Sequence, residues 1–151
     1  MTALDEDGRG VTRLAMPAGC PRYAAPMSAA LRHLHLASRD HAASLQFYAT
    51  YFGLRFAATF PRGDAPAATI LSAPDGFQLY LEGPSPEALP PWFHFGFLVA
   101  SADACRELHA RMQADGVSIA RPFVTEPFAS FFFTDPDGHL AQAYFDPRAT
   151  M

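Results

Sequence analysis

The strongest constraint on this chain is that it is written twice. His33 and His94 stand 61 positions apart, Gly53 and Gly116 63, and Gly76 and Gly138, which close two Pro-Asp-Gly turns, 62. Internal repetition at one offset fixes architecture, because each copy is a supersecondary unit and the axis between the copies is a natural place for a shared site. The two histidines therefore read as symmetry mates. Each lies in an apolar, strand-like run, Leu31-Arg32-His33-Leu34-His35-Leu36 and Trp92-Phe93-His94-Phe95-Gly96-Phe97.

Periodicity supplies the elements within each copy. Side chains alternate across a strand, so a first strand over 30–37 puts His33 and His35 on one face and Leu34 and Leu36 on the other. A helix follows at 40–52, capped by Ser38 or Asp40, with Leu45, Tyr48 and Phe52 at helical spacing and Gly53 as its terminator. Strands are expected at 54–60 and 67–73, then, after the Pro74-Asp75-Gly76 turn, at Phe77–Glu82 with Gln78, Tyr80 and Glu82 on the more polar face. After a proline-rich linker the plan restarts with a strand over Trp92–Val99 and a Ser101-capped helix ended by Gly116. Strands at 117–124, 129–134 and His139–Phe145 complete it, the last with Leu140, Gln142 and Tyr144 sharing one face. The expected domain spans 29–147, with module one at 29–83, a linker at 84–91 and module two at 92–147. Residues 1–28 are expected to be a mobile extension, with Met27 an alternative start.

Composition removes several partners. The chain has 151 residues, half of them hydrophobic, which suits one domain with a substantial core. Eleven Lys and Arg face 15 Asp and Glu, for a formal charge of −4, with no basic cluster of the kind that neutralises phosphates, so nucleic acid is not an expected partner. No apolar run reaches the 18 or more residues of a spanning helix, so no membrane is expected. Two cysteines, Cys20 and Cys105, form no CxxC pair and are too few for a disulfide framework, which points to a reducing cytoplasm.

Aligning the copies on their turns matches Tyr80 with Gln142, each four residues beyond its turn glycine. If the strands of each module curl into half of a cup with the helices outside, His33, Tyr80, His94 and Gln142 face inward from both halves. Two neutral imidazoles and an oxygen donor form a metal-ligand set, although the carboxylate of the familiar two-His arrangement is replaced here by an amide. His35 and Glu82 share the inward face and are the candidate acid-base groups. Tyr80, Trp92 and Tyr144 are the aromatics placed to line the cup and stack on a substrate. His41 and His109, on the helices, are expected on the outer surface, and Asp135 and Asp137 are expected to act as turn formers.

The sequence resembles the vicinal oxygen chelate superfamily, which includes glyoxalases, bleomycin resistance proteins and extradiol dioxygenases. The likeness is carried by Leu31-Arg32-His33-Leu34, Ser44-Leu45-Gln46-Phe47-Tyr48 with Phe52-Gly53-Leu54, Phe93-His94-Phe95-Gly96-Phe97 and Asp135-Pro136-Asp137-Gly138-His139. It implies an α+β fold of two tandem βαβββ modules forming a curved, cup-like mixed sheet with the helices outside. It also implies a divalent ion (Fe, Mn, Ni or Zn) held by His33, His94 and Gln142, and a homodimer with sites between subunits. Gln142 departs from the Glu usual among metal-using relatives, and a neutral amide holds a hard cation less firmly. Two functions stay open: a metal-dependent lyase, isomerase, transferase or dioxygenase acting on a small substrate, or a metal-free protein that sequesters a drug.

Overall fold

The computed structural model describes residues 3–4, 10–11, 30–85, 87–125 and 128–149. It divides into an N-terminal unit, 1–30, and a larger unit, 31–151. In the first, β1 (Ala3–Leu4) pairs antiparallel with β2 (Gly10–Val11). The extension expected over 1–28 otherwise lies outside the described residues, as does Cys20.

The larger unit is α+β and repeats a strand, a helix and three strands. Module one comprises β3 (His33–Ala37), α1 (His41–Phe52), β4 (Arg55–Arg62), β5 (Ala65–Ser72) and β6 (Gln78–Glu82). Module two comprises β7 (Phe95–Leu98), α2 (Ala102–Ala114), β8 (Ile119–Val124), β9 (Ala129–Thr134) and β10 (Leu140–Phe145). Each module makes its own four-stranded mixed sheet, in the orders β3-β6-β5-β4 and β7-β10-β9-β8. In both, the first strand runs parallel to the last and sits at a sheet edge.

The helices form where the sequence placed their caps. Asp40 accepts the backbone N–H groups of Ala42 and Ala43, so it, and not Ser38, caps α1, while Gly53 takes the left-handed φ of 69° that ends the helix. Ser101 accepts the N–H of Ala104 at the head of α2. Leu36, Tyr48, Leu54, Leu71, Leu79 and Leu81 form the core of module one, and Cys105, Met112, Phe131, Phe133, Ala141 and Ala143 belong to the core of module two. Phe47, Phe52, Phe95 and Phe97 pack against both, with the Phe52 and Phe97 rings stacked at 3.8 Å, so α1 and β7 join the two cores.

Two expectations change. His33 opens β3 and His94 immediately precedes β7, so the histidines stand at strand entrances and not at strand centres. For β7 the cause is the Pro90-Pro91 pair: the Phe93 N–H closes a turn onto the Pro90 carbonyl and delays the ladder. The helix histidines are also not on the outer surface. The His41 ring donates from Nε2 to the Glu82 carbonyl at 3.0 Å and accepts at Nδ1 from the Thr69 hydroxyl at 2.9 Å. His109 packs on Phe131 at 4.9 Å, with its Nε2 buried.

The turn aspartates do more than turn. Asp135 accepts the N–H groups of Asp137 and His139 on one carboxylate oxygen and the Tyr48 hydroxyl, at 2.7 Å, on the other. Asp137 accepts the Arg39 N–H and the Ser44 hydroxyl. A turn of module two is thereby pinned to the first helix of module one. No described helix is long and apolar enough to cross a membrane.

Candidate functional site

Strand register decides which side chains share a face. In module one His33 pairs with Gln78, His35 with Tyr80 and Ala37 with Glu82, so the polar row of the sequence becomes a patch on β3 and β6. The His35 and Tyr80 rings stack at 4.3 Å with 11° between planes, and His33 meets Tyr80 edge-on at 6.1 Å. The Tyr80 hydroxyl donates to Gln78 Oε1 at 3.1 Å. His33, His35, Tyr80, Glu82, Phe60 and Arg62 line a cavity of about 290 Å³.

Glu82 organises this patch. Its Oε1 accepts from His35 Nδ1 at 2.5 Å, and its Oε2 is paired with the Arg62 guanidinium. A carboxylate only accepts, so Nδ1 carries a proton, and Nε2 is the ring nitrogen with no partner among the described residues. The Glu82 backbone carbonyl is held in turn by the Ser38 N–H and by His41. The result is a carboxylate-oriented imidazole, a unit suited to moving a proton.

Module two presents a matching face. Gln142 lies across from Gly96 on one side and from Phe132 on the other, and Tyr144 across from Leu98 and Ser130. Its histidine, His94, donates from Nδ1 to the Trp92 carbonyl at 3.3 Å, which again leaves Nε2 free, and its ring meets Phe132 edge-on at 5.1 Å. Gly96 has no side chain for a reason: a Cβ there would come within 2.9 Å of Tyr144 Cε1, so the bare backbone makes room for that ring over the strand. Arg121 stacks on Phe132, its guanidinium carbon 4.4 Å from the ring centroid.

Not all the expected site residues come together in one chain. His33, His35, Tyr80 and Glu82 share one cavity, whereas His94 and Tyr144 line a second of about 740 Å³ that runs past Leu31, Leu34, Phe52 and Phe77 along the β7 edge. Gln142 is half-buried on the face of His94, and Trp92, 75% exposed, lines neither cavity. Among the described residues no three His, Cys, Asp or Glu side chains are grouped to hold a metal ion. Glu82, the acid of the His33 patch, is committed to Arg62 and His35.

Sequence reading did not single out Arg62, Phe60, Phe132 or Arg121. Arg62 was findable only through the pairing of β4 with β5, which carries two register shifts invisible in the sequence pattern. Arg121 sits beside a similar irregularity in β8.

Two βαβββ modules, each with a four-stranded mixed sheet whose first strand lies at an edge, define the fold class of this chain. The chain belongs to the Glyoxalase/Bleomycin resistance protein/Dioxygenase superfamily, whose family model matches residues 30–143. Among solved structures it is similar to a possible glyoxalase from Bacillus cereus, at 27% identity and a TM-score of 0.66 over 78% of this chain and 99% of the other. It shares the fold of the fosfomycin resistance protein FosX from Listeria monocytogenes, at 20% identity and a TM-score of 0.65 over 81% and 97% of the two chains. Lactoylglutathione lyase from Agrobacterium tumefaciens also has this fold, at 21% identity and a TM-score of 0.60 over 80% and 96%. No curated protein is significantly similar to the chain.

Proposed function

We propose that the protein is a homodimeric enzyme acting on a small molecule at a divalent ion. The polar face of module one in one subunit closes against the polar face of module two in the other. The observation that carries this reading is that β3 and β7, the strands that lead from the two histidines, are both sheet edges. Each offers one unpaired row of backbone N–H and C=O groups, the kind of edge that pairs with another chain. Joining β3 to the partner's β7 brings His33 toward His94 and Gln142 of the partner subunit. Leu31, 83% exposed beside the β7 groove, would be covered in the same step.

The donor chemistry suits this arrangement. A ligating histidine is normally oriented by a hydrogen bond from its other ring nitrogen to a carbonyl or carboxylate, and His94 is held in this way with Nε2 outward. The ion, when bound, supplies Lewis-acid polarisation of substrate oxygens. FosX from Listeria monocytogenes has been seen with Mn(II), so the fold accommodates such an ion. The chain's own residues supply the rest: Glu82 fixes the His35 tautomer, His35 Nε2 takes or returns a proton, and Tyr80 and Tyr144 flank the substrate. Metal-free sequestration is the second reading, favoured by the neutral Gln142.

Subunit mixing tests the proposal. His33→Ala and His94→Ala proteins are each expected to lose bound metal, and co-refolding equal amounts should restore it to about a quarter of the wild-type content, because about half of the dimers are mixed and one of the two sites in each mixed dimer keeps both histidines. No recovery on mixing would overturn the shared site. Wild-type protein without metal by elemental analysis would favour sequestration.

A further inference from the structure

The two polar faces carry a charge opposite to that of the chain. The protein bears a formal −4, yet by register Arg55, Arg62 and Arg121 lie on the faces that hold His33 and His94, against Glu82 as the acidic residue there among those described. Glu82 neutralises Arg62. Arg121 has no acidic partner among the described residues; its guanidinium carbon sits over Phe132, the ring that His94 also contacts. A guanidinium held over an aromatic ring keeps N–H groups for a ligand, and its planar fork can grip a carboxylate through two parallel hydrogen bonds. Two strands away from Arg121 on the same face, the Tyr144 ring lies over Gly96.

We infer that the ligand is a small organic carboxylate, its anionic end held by Arg121 and its body lying against Tyr144 and Phe132. This deepens the proposed function by naming a substrate class, and rests on the polar faces being the ligand surface. It does not require the metal or the shared site, since Arg121, Phe132, His94 and Tyr144 belong to one module.

The test uses three ligands of one shape and different charge, benzoate, benzamide and benzylamine, titrated calorimetrically into the full-length protein in low-salt buffer with chelator. Benzoate should bind at least tenfold more tightly than the other two. Arg121→Gln should weaken benzoate at least tenfold and leave benzamide unchanged, while Arg121→Lys, which keeps the charge but not the planar fork, should recover only part of the loss. Arg106→Gln, an exposed arginine of α2, should have no effect. Thermal melting of each variant reports folding. Absence of benzoate binding, tighter binding of benzylamine, or an Arg121→Gln affinity within twofold of wild type would overturn the inference. Because the chelator removes any ion, this outcome is independent of the subunit-mixing experiment: either can fail while the other stands.

Discussion

Asp137 shows how one residue serves two levels of structure. Burial opposes its charge, but the backbone N–H of Arg39, the hydroxyls of Ser38 and Ser44 and the Arg39 side chain outweigh that penalty and hold its carboxyl below the usual value of 3.8. A group with a lowered folded pKa stabilises the fold fully above its unfolded pKa and loses that contribution as pH falls through the folded value. Asp137→Asn should therefore lower the melting temperature at pH 7, and the gap from wild type should narrow as pH falls below the unfolded value and through the lowered folded one. A constant gap across that range would assign the loss to packing instead. Its neighbour Asp135 faces Tyr48, whose hydroxyl is kept protonated first by burial and then by the Asp135 charge, and so acts as a permanent donor across the module boundary. Cys105 behaves as the sequence suggested: buried in the α2 stripe, its thiol is pushed up to about 11 by desolvation, which makes it an inert core residue.

The strands carry the functional alternation, and their edges and gaps decide what it can do. The equivalent positions of β3 and β7 hold His35 and Gly96, and this single difference separates the two faces: one has an imidazole stacked on Tyr80, the other a bare backbone with Tyr144 laid over it. Gly96→Ala should overpack the contact at a cost of about 1–3 kcal/mol in urea denaturation. Adding Tyr144→Ala, which removes the opposing ring, should recover most of that loss, since neighbouring substitutions couple. Additive losses would show that the glycine is needed for backbone conformation and not for space. β4 illustrates the converse. Every one of its residues is exposed, Phe56 and Phe60 among them, because an edge strand with two register shifts cannot keep one face on the core.

For the whole molecule, duplication is visible in packing as well as in sequence. Two cores meet through the aromatic residues of α1 and β7, and the Asp-Pro-Asp-Gly turn of module two is bolted to α1. This fixes the modules with their polar faces lining separate cavities, an arrangement completed by a second copy in the proposed dimer. Leu31→Asp should leave the monomer folded but shift it from dimer to monomer in sedimentation velocity, because a buried charge at a subunit contact costs more than the lost leucine contact alone. A variant that remains dimeric would move the interface away from the β3 edge.

The sequence alone determined the repeat, the helices, the apolar and polar faces of the strands and the family resemblance, because these follow from local spacing and from which side chains avoid water. His33, His35, Tyr80 and Glu82 could be chosen as a polar row for the same reason. The tertiary structure decided what each member touches. Glu82 was legible as an inward acid, but its commitment to Arg62 and His35 depends on the β4–β5 register, and His41 turned inward because the Glu82 carbonyl and Thr69 lie beneath it. Likewise, periodicity places His33 and His94 in equivalent positions, but only the packing between modules sets the distance between them. Within one chain the two histidines line different cavities.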